Sequence, residues 1–189
     1  MDKYSRRTKE RFLCRAQKMA EVMERRKLQV EIYANAQEAV ERILSLIPEN
    51  ETVACKESRT LREWGLTEKL REGEYQYIEQ TREASIEERC RQLEQMSQSN
   101  VYITEVHAIS VDGTFVLTEK TGSRIAAMTF GADRVIVIAG INKLCRNEKA
   151  AVRCARKTAG LDSNYLLSVR GCMIPGRIRV VLVAEYLRD

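Results

Sequence analysis

The sequence has few of the residues from which metal centres are built. It contains a single histidine, His107, and none of its six cysteines forms a C-x-x-C pair with another. Zinc and iron–sulfur sites usually show clustered spacing, so we interpret the cysteines as mostly buried, reduced thiols and predict no metal site. Cys145, Cys154 and Cys172 can still meet in space, and that alternative stays open.

Long apolar stretches are also absent. No run approaches the roughly 18 apolar residues of a membrane-spanning helix. The first residues, MDKYSRRTKERF, lack the apolar core of a signal peptide. We therefore expect a cytoplasmic protein. A chain of 189 residues, 44% apolar and 31% charged, is long enough for one well-buried domain and short for two.

Three fingerprints of common active sites are missing. The sequence has neither the G-x-G-x-x-G of dinucleotide-binding loops nor the G-x-x-x-x-G-K-[ST] of phosphate-binding loops. It also lacks the G-x-S-x-G elbow that presents a nucleophilic serine. The residues by themselves therefore identify no cofactor and no reaction.

The positive charge is concentrated at the amino terminus. Of the net +5, residues 1–28 carry +6, which leaves 22 basic and 23 acidic residues in 29–189. One helical face of this segment carries four apolar residues: Phe12, Ala16, Met19 and Met23. We predict a basic amphipathic helix over 1–28, in the same domain as 29–189. Its charged face is either the solvated side of a packed helix, which we favour, or a surface for nucleic acid, anionic lipid or an acidic partner.

Strands and helices alternate through the first hundred residues. The segments LQVEIYA, ETVACKES, YQYIEQ and VYIT have the pattern of strands, and amphipathic segments separate them. Three helix starts combine a capping residue with glutamate three positions later, at Asn35, Thr60 and Ser85. This alternation favours a three-layer α/β fold, with a mostly parallel sheet and helices on both faces.

The middle of the chain adds an antiparallel element. Asp112-Gly113, between VHAIS and TFVLT, predicts a hairpin with a type I′ turn. Ser123 is predicted to cap a short helix over residues 124–130, and Gly131 to end it in the left-handed conformation.

Two strands and a helix complete the predicted order. RVIVIAG, residues 134–140, has five consecutive apolar residues and suits a central strand buried on both faces. Asn147 begins and Gly160 ends the helix EKAAVRCARKTAG. A short irregular segment then leads to the last strand, RIRVVLVAEYL.

Ligands of parallel sheets bind at the carboxyl ends of the strands, where loops enter helix amino termini. The loops CKESRT, TEVH and GINKL follow predicted strands, and EKTGSR follows the hairpin. They supply Lys56, Arg124 and Lys143, which can pair with phosphate or carboxylate, and the hydroxyls of Ser58 and Ser123. We therefore predict an anionic ligand.

Acid–base candidates lie near the same ends. One of Glu57, Glu105 and Glu119 can serve as base or nucleophile if burial raises its pKa. His107 is either functional or a hydrogen-bonded structural histidine, and no second histidine supports the functional interpretation.

One long stretch resembles a known family. VYITEVHAISVDGTFVLTEKTGSRIAAMTFGADRVIVIAGINKL, followed by EKAAVRCARKTA and GRIRVVLVAEYL, is similar to the LUD-domain proteins, named for lactate utilisation; GSRIAAMTFGADRVIVIAGINK is the most specific part. The resemblance implies the fold shared by sugar-phosphate isomerases, CoA transferases and formyltetrahydrofolate cyclo-ligases (NagB/RpiA/CoA transferase-like). It also implies a link to bacterial oxidation of lactate to pyruvate beside iron–sulfur partners.

The chain departs from the family at several loop positions. Relatives usually have a glycine pair where this chain has Lys56 and Glu57, and the added side chains should narrow a phosphate cradle there. His107 stands for an asparagine, Glu119-Lys120 for an aspartate-glycine pair, and Ser123 for another asparagine. The family residues that remain are Gly122, Arg124, Gly140, Asn142 and Lys143.

A cysteine-rich insert that many relatives carry before the last strand is reduced here to Cys172. Cluster binding through such an insert is therefore not expected of this chain.

Three hypotheses follow. The first is a LUD-like domain that binds a small anionic metabolite or a nucleotide- or CoA-like ligand, with Glu119 as acid or base. Its ligand-binding residues would be Lys56, Ser58, His107, Gly122, Ser123, Arg124, Gly140, Asn142 and Lys143. The second is a non-catalytic subunit or regulator that docks an iron–sulfur or flavin protein, and a homo-oligomer is compatible with both. The third and least favoured is nucleic-acid binding through the first helix.

Overall fold

The structure is a computed structural model that describes residues 5–56, 58–78, 85–159 and 163–188. The strands are β1 (Gln29–Tyr33), β2 (Thr52–Cys55), β3 (Gln76–Ile78), β4 (Val101–Glu105), β5 (Ala108–Ser110), β6 (Phe115–Glu119), β7 (Arg134–Gly140), β8 (Leu144–Cys145), β9 (Tyr165–Val169) and β10 (Ile178–Val183). The helices are α1 (Arg6–Arg25), α2 (Ala36–Ser45), α3 (Arg59–Glu63), α4 (Leu66–Glu72), α5 (Ile86–Ser97), α6 (Ser123–Ala126) and α7 (Glu148–Ala159). A π turn (Ala127–Gly131) continues α6, and a 3₁₀ turn (Ile141–Lys143) follows β7.

Six strands form a parallel sheet in the order β1-β10-β7-β4-β2-β3. Side chains of β7 alternate between its two faces. Val135 and Val137 lie in the core cluster that includes α1, whereas Ile136 and Ile138 lie in the cluster that includes α2 and α4. The sheet is therefore covered on both faces, and the predicted α/β class and the buried central strand are confirmed.

The helix starts follow local capping rules at two of the three predicted positions. The side chain of Asn35 accepts a hydrogen bond from the backbone N–H of Glu38 (2.9 Å), and that of Ser85 accepts from Glu88 (3.2 Å). Both caps are confirmed. The cap predicted at Thr60 is wrong, because Thr60 lies inside α3, which begins one residue before it.

A second, mixed sheet has the order β8-β5-β6-β9, and β5 and β6 form the predicted hairpin. Of its turn pair only Gly113 has a positive φ (79°), so the predicted type I′ turn is wrong. Gly113 N–H donates to the carbonyl of Ser110 (2.8 Å), and the Asp112 carboxylate accepts from Thr114 N–H (3.1 Å). A Cβ on Gly113 would lie 2.4 Å from Cγ of Met23, because the turn packs directly against α1.

The segment after α7, predicted to be irregular, contains β9, which pairs antiparallel with β6. Tyr165 and Leu166 at its start are exposed, and the strand lies at the edge of its sheet. Gly160, the predicted end of α7, lies outside the described residues.

The predicted helix over residues 124–130 is α6 together with the π turn. Gly122, with φ 84°, occupies the cap position that was predicted for Ser123. Gly131 is not left-handed, so that prediction is also wrong. A Cβ on Gly131 would lie 2.0 Å from the carbonyl oxygen of Ser97, so this position must be glycine because α5 approaches the π turn so closely.

Arg177, the residue before β10, holds the π turn through hydrogen bonds. Its guanidinium donates to the carbonyl oxygens of Ala127 (3.0 Å), Met128 (2.8 Å) and Ala132 (3.0 Å), and the residue is only 8% exposed. The carbonyl of Ala127 also accepts the backbone N–H of Ala132 (3.1 Å), so Arg177 adds a side-chain donor at the irregular helix end.

The basic first helix is packed on its apolar face. Phe12, Ala16, Met19 and Met23 are buried in the main core cluster, which also contains Phe115 of β6. Within the segment 1–28, the described helix α1 covers Arg6–Arg25, and its charged side chains lie on the side away from this core.

Candidate anion-binding site

Three of the four predicted loops meet at the carboxyl edge of the parallel sheet and line two neighbouring cavities. The larger cavity, of about 440 Å³, is lined by Lys56, Ser58, Arg59, Arg62, Glu105, Val106, His107, Arg124, Thr158 and Arg188. The smaller cavity, of about 300 Å³, is lined by Lys56, Arg89, Leu93, His107, Thr118, Glu119, Lys120, Thr121, Arg124 and Ser163. The two linings share Lys56, His107 and Arg124. The edge is thus open even though Lys56 replaces a glycine of the family pattern.

Ser58 connects two of these loops. Its hydroxyl oxygen accepts the N–H of Leu61 (3.1 Å) as the cap of α3, and the hydroxyl donates to Oε1 of Glu105 at the end of β4 (2.7 Å). The serine therefore fixes the start of α3 against the neighbouring strand, and it orients the Glu105 carboxylate at the wall of the larger cavity.

Arg124 lies between the two cavities and is held on two sides. Its Nε donates to Oε2 of Glu119 (3.1 Å), and its NH1 donates to the carbonyl oxygen of Glu105 (3.3 Å). The Arg124 side chain is 11% exposed and that of Glu119 is 5% exposed. A buried pair with this geometry holds the guanidinium in one position.

The pKa of Glu119 is lowered, so the condition for a base or nucleophile, a pKa raised by burial, is not met at this residue. Burial does raise this pKa, but the charges of Arg124 and Lys56, the Arg124 hydrogen bond and the backbone N–H of Lys120 together lower it further. Glu119 is therefore ionised at neutral pH. A general acid needs the opposite shift.

The ring of His107 is hydrogen-bonded and also lines both cavities. Its Nδ1 accepts the backbone N–H of Thr118 (3.0 Å). This bond fixes the neutral tautomer that carries its proton on Nε2. The two interpretations of this histidine, structural and ligand-facing, are thus compatible in one residue.

The cavity linings carry a large excess of positive charge. The described lining residues include seven cations: Lys56, Arg59, Arg62, Arg89, Lys120, Arg124 and Arg188. Among these same residues the only carboxylates are Glu105 and Glu119. Such a surface favours an anion with more than one negative charge.

Arg188 lines the larger cavity, and the sequence did not predict this. The segment 185–188 crosses the carboxyl edge because Thr60 and Asn142 bind its backbone. Thr60 Oγ1 lies 2.6 Å from the N–H and 2.8 Å from the carbonyl of Arg188, and the Asn142 amide bonds both backbone groups of Leu187 (2.8 and 2.9 Å). No local motif marks these contacts, since each joins residues far apart in the chain.

The loop GINKL contributes no residue to either cavity lining. Asn142 binds Leu187, Lys143 is 2% exposed, and a Cβ on Gly140 would lie 2.1 Å from Cδ1 of Leu187. Gly122 and Ser123 begin α6 and are likewise outside the linings. Glu57 lies outside the described residues. The ligand-binding roles of these residues stay predictions.

The described residues contain no candidate metal centre and no candidate membrane-spanning helix. Among the residues that the structure describes, no three His, Cys, Asp or Glu side chains are grouped to hold a metal ion. Cys145 and Cys154 share a small cluster, and Cys172 packs against the main core. Burial and then the Cys154 thiol raise the pKa of Cys145 to about 11. Within the same residues no helix has the length and apolar character to cross a bilayer.

Comparison with known proteins places the fold. The sequence model of the LUD domain matches residues 16–183. The structure is similar to the crystal structure of a DUF162 family protein from Deinococcus radiodurans, with a TM-score of 0.57 at 11% identity over 93% of this chain and 97% of that chain. An identity this low shows likeness of fold alone.

More distant likenesses are to eIF2B delta from Chaetomium thermophilum (14% identity, 77% of this chain and 55% of that chain, TM-score 0.41) and to the tetrameric eIF2B-beta2-delta2 complex from C. thermophilum (13%, 77% and 54%, 0.44). This chain spans about half the length of those chains. No curated protein matches it.

Proposed function

This chain belongs to the LUD-domain family, and from that premise we propose that it binds a small anionic ligand at the carboxyl edge of its parallel sheet. The observation that carries the proposal is the charge of the two cavities, whose described linings hold seven cations and two carboxylates. Lys56 and Arg124 contact the ligand from the wall between the cavities, and Arg62 and Arg188 contact it from the rim.

The ligand is a phosphate ester or a carboxylate of metabolite size. Cavities of about 440 and 300 Å³ are in the range that holds small molecules and cofactors. Nucleotide- and CoA-like molecules fit this description. The family name adds lactate and pyruvate, which are monocarboxylates and would occupy only part of the space.

Glu119 acts in this proposal by holding Arg124. Its lowered pKa keeps it ionised, and its carboxylate bonds the Nε of Arg124 at 3.1 Å. A role as proton acceptor requires a substrate proton within hydrogen-bond reach, and it is secondary to the positioning role.

The test is calorimetric titration of the purified protein with inorganic phosphate, pyrophosphate, ADP, CoA, lactate and pyruvate. Lys56→Gln and Arg62→Gln each remove one cleft cation, and loss of a charge-assisted contact should weaken binding by about 1.5–3 kcal/mol. Arg153→Gln, which removes an exposed charge from α7 outside both linings, is the matched control. If Arg62→Gln and Arg153→Gln bind the ligand with equal affinity, the ligand does not bind in these two cavities.

A second candidate function, docking of a partner protein, is favoured by a separate surface. Five exposed cations lie along and just before α7, and within the described chain none of them makes an ion pair: Arg146, Lys149, Arg153, Arg156 and Lys157. This surface suits an acidic face of an iron–sulfur or flavin protein. Co-purification with such a protein, abolished by Arg153→Glu with Arg156→Glu, supports it; co-purification that survives this change argues against it.

A further inference from the structure

The two cavities share Lys56, His107 and Arg124, and each also has cations of its own. The larger cavity has Arg59 and Arg62 from α3 and Arg188 from the segment 185–188. The smaller cavity has Arg89 from α5 and Lys120 from the loop after β6. Each cavity thus draws its own cations from different parts of the fold, in addition to the shared residues.

The wall between the cavities is fixed rather than adaptable. Arg124 is held by the Glu119 carboxylate and by the carbonyl oxygen of Glu105, and His107 is held by the N–H of Thr118. A single phosphate or carboxylate contacts its partners at about 3 Å. It therefore occupies one cavity and leaves the cations of the other without a ligand charge.

The surfaces beside this wall are apolar as well as basic. Val106 lines the larger cavity and Leu93 lines the smaller one. A bare polyphosphate has no group to place against these side chains. An organic body between two charged ends does, since it gains from contact with apolar surface.

From these features, and resting on the proposed function, we propose that the ligand is an organic bisphosphate: one phosphate binds in each cavity, and the organic linker passes Lys56, His107 and Arg124. Two linked anions gain affinity because the second binds as an intramolecular event. The linker length then selects among bisphosphates, and monophosphates bind in one cavity only.

The test compares probes that differ only in the number of phosphates. Calorimetric titrations use hexyl phosphate and the butane-1,4-, hexane-1,6- and octane-1,8-diyl bisphosphates. We expect at least one bisphosphate to bind tenfold or more tightly than hexyl phosphate, with an optimum in linker length. If every bisphosphate matches hexyl phosphate to within the statistical factor of about two, the two-cavity ligand is wrong while the anion site stands.

Variants assign each phosphate to its cavity. We expect hexyl phosphate in the larger cavity, which has three cations of its own against two in the smaller one. Arg89→Gln with Lys120→Gln should therefore weaken the best bisphosphate at least tenfold and hexyl phosphate less than twofold, whereas Arg62→Gln should weaken both. Arg153→Gln should change neither. Equal weakening of both probes by the Arg89/Lys120 double variant overturns the assignment, and circular dichroism with thermal unfolding establishes that each variant folds. Absence of binding by every probe, inorganic phosphate included, overturns the anion-binding function itself.

Discussion

The two edges of the parallel sheet use arginine in different ways. At the amino edge, Arg179 pairs with Glu31, Arg134 pairs with Glu51, and Arg177 bonds three carbonyl oxygens. At the carboxyl edge, seven lining cations share two lining carboxylates. Arginines at both edges bond protein groups, since Arg124 pairs with Glu119 and both Arg59 and Arg188 pair with Glu63. What distinguishes the carboxyl edge is that cations outnumber carboxylates among the described residues that line its cavities, which favours an anionic ligand there.

Replacement of Arg177 should have the largest effect on stability at the amino edge of the sheet. Arg177→Met removes the guanidinium donors from the carbonyls of Ala127, Met128 and Ala132, of which Ala127 keeps the N–H of Ala132, and should lower the free energy of unfolding by about 3 kcal/mol. Urea denaturation measures this loss. Arg134→Met is the control, because the Arg134 side chain is 41% exposed and such a pair is worth about 1 kcal/mol or less. Similar losses for the two variants would break the distinction between buried and exposed arginines at this edge.

A substitution of Glu119 tests the carboxyl edge of the sheet. Glu119→Gln leaves the guanidinium of Arg124 without its carboxylate, so the free energy of unfolding should fall by about 2 kcal/mol. The amide oxygen of glutamine can still accept the Arg124 Nε–H, so the guanidinium should keep its position while the site loses one negative charge, and binding of inorganic phosphate should tighten several-fold. Urea denaturation and calorimetry measure the two effects. A variant that is less stable and also binds phosphate more weakly would show that the carboxylate itself is needed to position Arg124 and that this outweighs the change in charge.

The pH dependence of unfolding tests the ion pairs of Glu31 at the amino edge. Burial raises the pKa of Glu31, but hydrogen bonds from Arg42, Tyr33 and Arg179 lower it by more. The net pKa is about 2. Because the folded pKa lies below the ordinary value of 4.5, this stabilisation is present above pH 4.5 and is lost as the pH falls towards 2.

The expected loss from Glu31 is about 1–2 kcal/mol between pH 5 and pH 2.5, with allowance for solvent screening. It is measured as the difference in unfolding free energy between the wild type and Glu31→Gln at each pH. The variant should show a shallower dependence over this range. Parallel curves for the two proteins would mean that the arginines at this edge do not stabilise the Glu31 charge.

The substitution Glu63→Gln should have the smallest effect on stability and on phosphate affinity. Its Oε1 accepts hydrogen bonds from Arg59 (2.9 Å) and Arg188 (2.8 Å) at the rim of the larger cavity. Glu63→Gln should change stability by less than about 1 kcal/mol, since these pairs are exposed. Phosphate affinity should rise about twofold by calorimetry, because less of the rim charge is matched within the protein. A fall in affinity would mean that Glu63 positions the two arginines for the ligand.

Local signals in the sequence predicted the elements whose structure is decided locally. Asn35 and Ser85 cap their helices because a short polar side chain and the N–H three residues later belong to the same turn. RVIVIAG predicted a central strand because a sheet covered on both faces requires apolar residues at every position.

The errors arose where distant residues decide between local alternatives. Ser58 and Thr60 can both cap a helix, and Glu105 from another strand favours Ser58. Gly131 was predicted to be left-handed. The structure requires glycine at this position for another reason, the close approach of the Ser97 carbonyl oxygen.

The candidate site was predictable in part for the same reason. Lys56 follows β2 directly, and Arg124 lies in the short helix that the loop after β6 enters, so the rule that ligands bind at carboxyl ends finds both. Arg62 and Arg188 reach the larger cavity from a helix and from a segment after β10, and no local pattern distinguishes them from other surface arginines. The lowered pKa of Glu119 depends on cations from two loops, which a sequence does not bring together.

The position of β10 has a consequence for synthesis of the chain. β1 pairs within the parallel sheet with β10 alone, and β10 separates it from β7. A ribosome therefore releases residues 29–33 long before their partner, residues 178–183, is translated. Until then β7 presents an unpaired edge, which is a template for pairing with another chain. β1 thus stays without its strand partner over most of translation, and the late strand β10 pairs with β1 and β7 together.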